Sequence, residues 1–171
     1  LDLPVRQEWY ERIISKLRQH PISSADLNGL HELSTCQQNV CNTPREIMDT
    51  IYDIVLHHES LRNAGNRKAH AYNSYGFYLI NTHGEFRQGL EYLYKAAEVQ
   101  PATAQNWINL IKVLVAMKRT DEARQQLELF RAADIAGTSQ RDFIRLEGMI
   151  DSISEASTEQ VISYATQENR G

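Results

Sequence analysis

The chain has 171 residues, 42% hydrophobic and 23% charged, enough for a single globular domain with a buried core. Its formal net charge of −4 argues against a nucleic-acid partner, because contact with a phosphate backbone needs a basic face. No apolar run approaches the roughly 18 to 20 residues of a membrane span, so no membrane insertion by this segment is expected.

The chain starts at Leu1 with no signal-peptide pattern, and reads as a processed product or a segment of a longer protein. Pro4 suits the first turn of a helix running to about Gln19, with Trp9, Ile13, Ile14 and Leu17 as its apolar stripe. Pro21 ends it. Ser23 and Ser24 then offer an N-cap for a short helix carrying Leu27, Leu30 and Leu33.

The stretch LSTCQQNVCNTPRE follows. Cys36 and Cys41 are the only cysteines and enclose a loop too polar for the core. Three readings stand for them: a structural disulfide, which an oxidising compartment would form, two unpaired thiols, or a zinc site with His31 near by and no fourth ligand evident. Thr43, Pro44 and Glu46 make a helix start, with the threonine as cap, the proline at the first position and the glutamate closing a capping box. The helix should carry Ile47, Ile51, Ile54, Val55 and Leu61 and end near Arg62, with Asn63 to Asn66 as the turn. His57 and His58 are adjacent and diverge by about 100° on a helix, so they do not share a metal ion, and a partly exposed face is expected there.

From Lys68 to Ile135 one pattern occurs twice, as AHAYNSYGFYLINTHGEFRQGLEYLYKAAEVQP and AQNWINLIKVLVAMKRTDEARQQLELFRAADI. Tyr72 matches Trp107, Tyr75 matches Leu110, Leu93 matches Leu127 and Ala96 matches Phe130. Each copy reads as a helix, a polar turn and a second helix beginning at a small residue, Gly89 or Ala123. The rings of Tyr72 and Trp107 are expected to nest against those small residues, with Gly76 giving a further close approach and Pro101 ending the first hairpin. On these residues the stretch resembles the tetratricopeptide-repeat family, whose period is roughly 34 residues. Asn81 to Gly84 form a turn longer than the family's, and Ile111 and Phe130 stand where the family prefers small residues.

The resemblance implies an all-α fold of stacked antiparallel helical hairpins, a short α-solenoid with helical caps at both ends. Residues 1–171 read as one helical domain, with capping helices and the cysteine loop at 1–66, two hairpins at 67–135 and capping helices at 138–167. Gly137, Thr138 and Ser139 precede a helix with Phe143, Leu146, Met149, Ile150 and Ile153, which should cover the second hairpin. Ser157 and Gln160 can start another helix through Ile162 and Tyr164.

In such a stack the first helix of each hairpin lines the concave side, so Asn73, Phe77, Asn81, Asn109 and Lys112 are the candidate groove for a peptide or protein partner. The sequence holds no phosphate loop, nucleophile elbow, metalloprotease helix or dinucleotide fingerprint, so no catalytic residue, metal or cofactor is predicted in this segment. The cysteine loop, of the form LxxCQxxxC before a capped helix and a repeat, is similar to the soluble C-terminal region of some bacterial inner-membrane sugar transferases of the O-antigen ligase and polymerase kind. That resemblance implies a non-catalytic periplasmic domain whose chemistry lies in the membrane part of the same chain. The alternative is an autonomous exported or cytoplasmic adaptor.

Overall fold

The computed structural model describes residues 3–35 and 43–155, and every regular element among them is helical. In order these are α1 (Leu3–Gln19), α2 (Ser24–Thr35), α3 (Arg45–Leu56), a 3-10 turn (Glu59–Leu61), α4 (Gly65–His83), α5 (Phe86–Val99), α6 (Ala104–Ala116), α7 (Thr120–Ala132) and α8 (Gln140–Glu155). The fold is all-α, as expected. The chain divides into two compact units, Leu1–Val99 and Gln100–Gly171, with the division between the two repeated hairpins. Cys36, Cys41 and the segment around Ser157, Gln160, Ile162 and Tyr164 lie outside the described residues.

In the first unit α1 packs on α3, and α4 packs on α2, α3 and α5. Ile22, Leu27, Met48, Ile51, Tyr52, Val55, Leu61 and Leu79 form its core. On α1 the inward stripe is Tyr10, Ile13, Ile14 and Leu17, spaced i, i+3, i+4, i+7, and it leaves Trp9 49% exposed. Ile13, Ile14 and Leu17 of the expected stripe thus face inward and Trp9 does not, because Tyr10 and not Trp9 lies in line with Leu17. Ile22, fully buried between α1 and α2, donates its N–H to Ser60 Oγ at 2.9 Å and accepts from Arg67 Nη1 at 2.5 Å. Both polar groups of that buried peptide are thus satisfied by side chains far along the chain.

The helix starts depend on short polar motifs. Before α2, Ser23 Oγ accepts from the Asp26 N–H at 3.1 Å while Asp26 Oδ2 accepts from the Ser23 N–H at 2.9 Å, a reciprocal capping box. Ser139 and Asp142 repeat it before α8, at 3.3 and 3.1 Å. The box expected at Thr43 and Glu46 does not form: Pro44 itself is the cap residue with no side-chain cap, and Arg45 opens the helix. That one-residue shift moves Glu46 out of the position from which it could reach back.

Helix α3 ends at Leu56, not near Arg62. His58 adopts an extended backbone and its Nδ1 accepts from the Ser60 N–H at 3.1 Å, which caps a separate 3-10 turn. His57 bonds back to Asp53 instead, so the two imidazoles serve two different helix ends.

The first hairpin closes at Gly84, not over Asn81 to Gly84. Helix α4 continues through Asn81 to His83, and Gly84 takes a left-handed φ of 66° while its N–H bonds to Ile80 O at 3.0 Å. Helix α5 then begins at Phe86, three residues before Gly89. A Cβ on Gly89 would lie 2.6 Å from Gly76 O and 2.5 Å from Ile80 Cγ1, and one on Gly76 would lie 2.8 Å from Gly89 O. The close approach is therefore glycine on glycine. Tyr72 sits one turn further from the hairpin tip and meets Tyr92, ring centroids 6.0 Å apart, not Gly89. In an antiparallel pair, one turn back along α4 corresponds to one turn forward along α5, which is why the expected ring-to-glycine pairing is displaced.

The second unit is a three-helix arrangement in which α6, α7 and α8 pack pairwise. Its core includes Leu110, Ile111, Leu114, Ala123, Phe130, Leu146 and Ile150. Trp107 stacks on Phe130 at 6.1 Å and donates Nε1–H to Pro101 O at 2.8 Å, so here too a ring meets a ring. Helix α8 covers the hairpin as expected. Phe143 packs on Phe130 at 4.9 Å, and Arg131 pairs with Glu147 and Arg124 with Asp151 across the α7–α8 seam.

Candidate interaction surface

Helix α4 is enclosed on most sides. Ala69, Ala71, Ser74, Gly76, Tyr78, Leu79 and Ile80 are buried, whereas His70, Asn73 and Phe77 are half-buried and Asn81 is exposed. The last four are spaced three or four apart and so fall on one strip of the helix. Three of the five predicted groove residues, Asn73, Phe77 and Asn81, therefore share one face of α4. Asn109 and Lys112 are half-buried on α6, in the other unit, and Asn109 Oδ1 accepts from Gln105 Nε2 at 2.7 Å. The candidates thus form two groups, three on α4 and two on α6.

Sequence reasoning missed what borders the α4 strip. His31, exposed on α2, stands 6.4 Å from His70, ring centroid to ring centroid. Ser74 Oγ lies 3.5 Å from His31 Nδ1, the outer limit of a hydrogen bond, and 2.7 Å from the Tyr52 hydroxyl. A polar line thus runs from the surface imidazole to a fully buried phenol. Burial lowers the proton affinity of His70, and the neighbouring His31 lowers it further. The line is invisible in sequence because its members come from α2, α3 and α4, and only the helix crossing brings them together.

On another side of α4 a tyrosine cluster fills the seam. Tyr75 stacks on Tyr52 at 4.5 Å and meets Tyr92 edge-on at 4.8 Å, while its hydroxyl donates to Asp49 Oδ1 at 3.3 Å. Burial pushes Tyr52 and Tyr78 up to about 12 and raises Tyr75 further, with Asp49 adding to the shift at Tyr75 and Tyr78. These phenols stay neutral across the physiological range and act in packing and hydrogen bonding, with Tyr75 the donor to Asp49. Arg45 bridges Asp49 at 3.3 Å and Glu85 at 2.6 Å, tying α3 to the α4–α5 turn.

Among the described residues no three or more His, Cys, Asp or Glu side chains group as a metal site would require, and no helix is long and apolar enough to cross a membrane. No protein-family model, curated protein or solved structure matches this chain.

Proposed function

We propose that the chain is a non-catalytic interaction module of the tetratricopeptide type, whose protein or peptide partner lies along the open strip of α4. One observation carries the reading: both hairpins have the same construction. A left-handed residue, Gly84 or Lys118, is followed five residues later by a buried small residue, Gly89 or Ala123, three residues into the second helix. That spacing lets two antiparallel backbones approach closely, which is the structural role of such repeats. Asn73 and Asn81 would then supply amides that both donate to and accept from an extended backbone, and Phe77 an apolar contact between them.

The test is site-specific crosslinking in the native host. A photoreactive phenylalanine at Phe77 is expected to capture a discrete partner that the same group at Glu98, exposed on α5, does not. Identical patterns from both positions would remove the strip as the contact surface.

The same reading keeps the compartment suggested by the cysteine loop. The module would work outside the cytoplasm, as an accessory part of a membrane-bound transferase, with Cys36 and Cys41 bridged. Protein recovered from its native compartment should gain the mass of two protons on reduction; free thiols would favour the autonomous adaptor instead.

A further inference from the structure

Helix α8 covers the α6–α7 hairpin with one face and turns the other to solvent. Phe143, Leu146 and Ile150 point inward, while Arg141, Ile144, Arg145, Gly148, Asp151 and Ser152 are exposed and recur every three or four residues along the opposite face. A helix that closes a repeat stack is expected to present a polar outer face. This one carries Ile144, which at 59% is the most exposed large hydrophobic among the described residues. One turn further on, Gly148 stands in mid-helix, where glycine weakens a helix, and a Cβ built there would meet nothing within 4 Å. The outer face therefore has an apolar knob one helical turn from an open notch.

We propose that this face binds a second copy of the chain, α8 against α8, antiparallel about a twofold axis. Ile144 of each copy fills the notch over Gly148 of the other, and the same register sets Arg141 level with Asp151 of the other copy, so each contact occurs twice. Asp151 bonds to Arg124 at 2.8 Å and keeps 60% of its side chain accessible, so a second guanidinium can reach it. Charge decides the sense of the pair. A parallel arrangement would oppose Arg141 to Arg141 and Asp151 to Asp151, and would leave the two notches facing each other unfilled. Two sixteen-residue helices cover less than the roughly 1,200 Å² of a standard interface, so the dimer is weak, with a dissociation constant on the order of 100 µM.

The experiment is sedimentation equilibrium of the full chain from about 10 to about 500 µM. The average mass should rise with concentration from 19.7 kDa towards twice that value. Ile144→Lys should weaken association about tenfold or more. Gly148→Gln should do the same while raising the thermal midpoint, because the notch is filled and the helix gains a better former; that combination separates a lost interface from a lost fold. Arg141→Glu, which sets like charges level with each other, should also weaken the dimer, and an unchanged constant would overturn the antiparallel register. A mass fixed at 19.7 kDa over the whole range would overturn the proposal. So would a dimer that survives both Ile144→Lys and Gly148→Gln, since the copies would then meet on another surface.

Discussion

Lys118 shows most directly how a single residue departs from the local rule. It occupies the left-handed position that closes the α6–α7 hairpin, with φ of 59°, and its neighbours complete the motif: Arg119 N–H bonds to Leu114 O and Lys118 N–H to Val115 O, both at 2.9 Å. This is the six-to-one and five-to-two pattern of a Schellman cap, which favours glycine because a Cβ is strained there. The first hairpin has Gly84 at the matching place. Lys118→Gly is therefore expected to stabilise the second unit by about 0.5 to 1 kcal/mol, read as a rise in urea midpoint with unchanged slope, since relief of Cβ strain outweighs the added freedom of the unfolded chain. A lowered midpoint would mean that the lysine chain contributes more than its backbone costs. Gly84 was legible as a turn residue from its type. Lys118 was not, because nothing in a lysine announces a positive φ.

Among elements, the α4–α5 hairpin depends on the paired glycines more than on its rings. A Cβ on Gly89 would meet a backbone carbonyl at 2.6 Å, which cannot swing away as a side chain could. Gly89→Ala should already destabilise, and Gly89→Leu should cost about 1 to 3 kcal/mol or more by overpacking. Tyr72→Leu should cost less than Gly89→Leu, because Tyr72 is half-buried and touches Tyr92, not the glycine pair. The order of the two melting midpoints checks this; reversal would restore the ring-to-glycine packing read from the sequence. Gly89 and Ala123 could be picked out because they recur at matching places in the two copies, and Gly76 by its residue type alone. Their partners could not, since which turn of one helix faces which turn of the next follows from the crossing and not from either helix alone. The early end of α3 has a similar origin: the apolar period runs on to Leu61, but the His58 side chain caps a new 3-10 turn.

For the whole molecule, the expected pH dependence has two steps on the acid side. His70 has a lowered folded pKa, so its contribution is full above the ordinary imidazole value and is lost as pH falls through the lowered one. Asp26 is held at about 2, from 3.8, first by its bonds from Ser23 and then by Lys16, so its contribution is full above about pH 4 and is lost between about 4 and about 2. Its side chain is 18% accessible, and after solvent screening the second step should be on the order of 1 kcal/mol. Asp142 is lowered by the same bonds from Ser139 and titrates in the same direction. Urea midpoints at pH 8, 5.5 and 3 should fall in two stages, and His70→Gln should flatten the first while leaving the second. A single stage unaffected by His70→Gln would place the first titration elsewhere.

The sequence by itself determined the helices, the ends marked by Pro21, Ser23 and Ser139, and the repetition of one hairpin plan. Each of these is set by residues within a few positions of one another: apolar period, serine and aspartate caps, glycine at a tight turn. Only the tertiary structure decided that Tyr10 rather than Trp9 faces inward, that Gly89 meets Gly76, and that the chain divides after Val99. It also decided that His31 and His70 share one edge of α4. The physical reason is separation along the chain. Ile22 finds Ser60 across 38 residues and Tyr52 finds Ser74 across 22, and contacts of that span arise from how helices cross, which local periodicity does not encode.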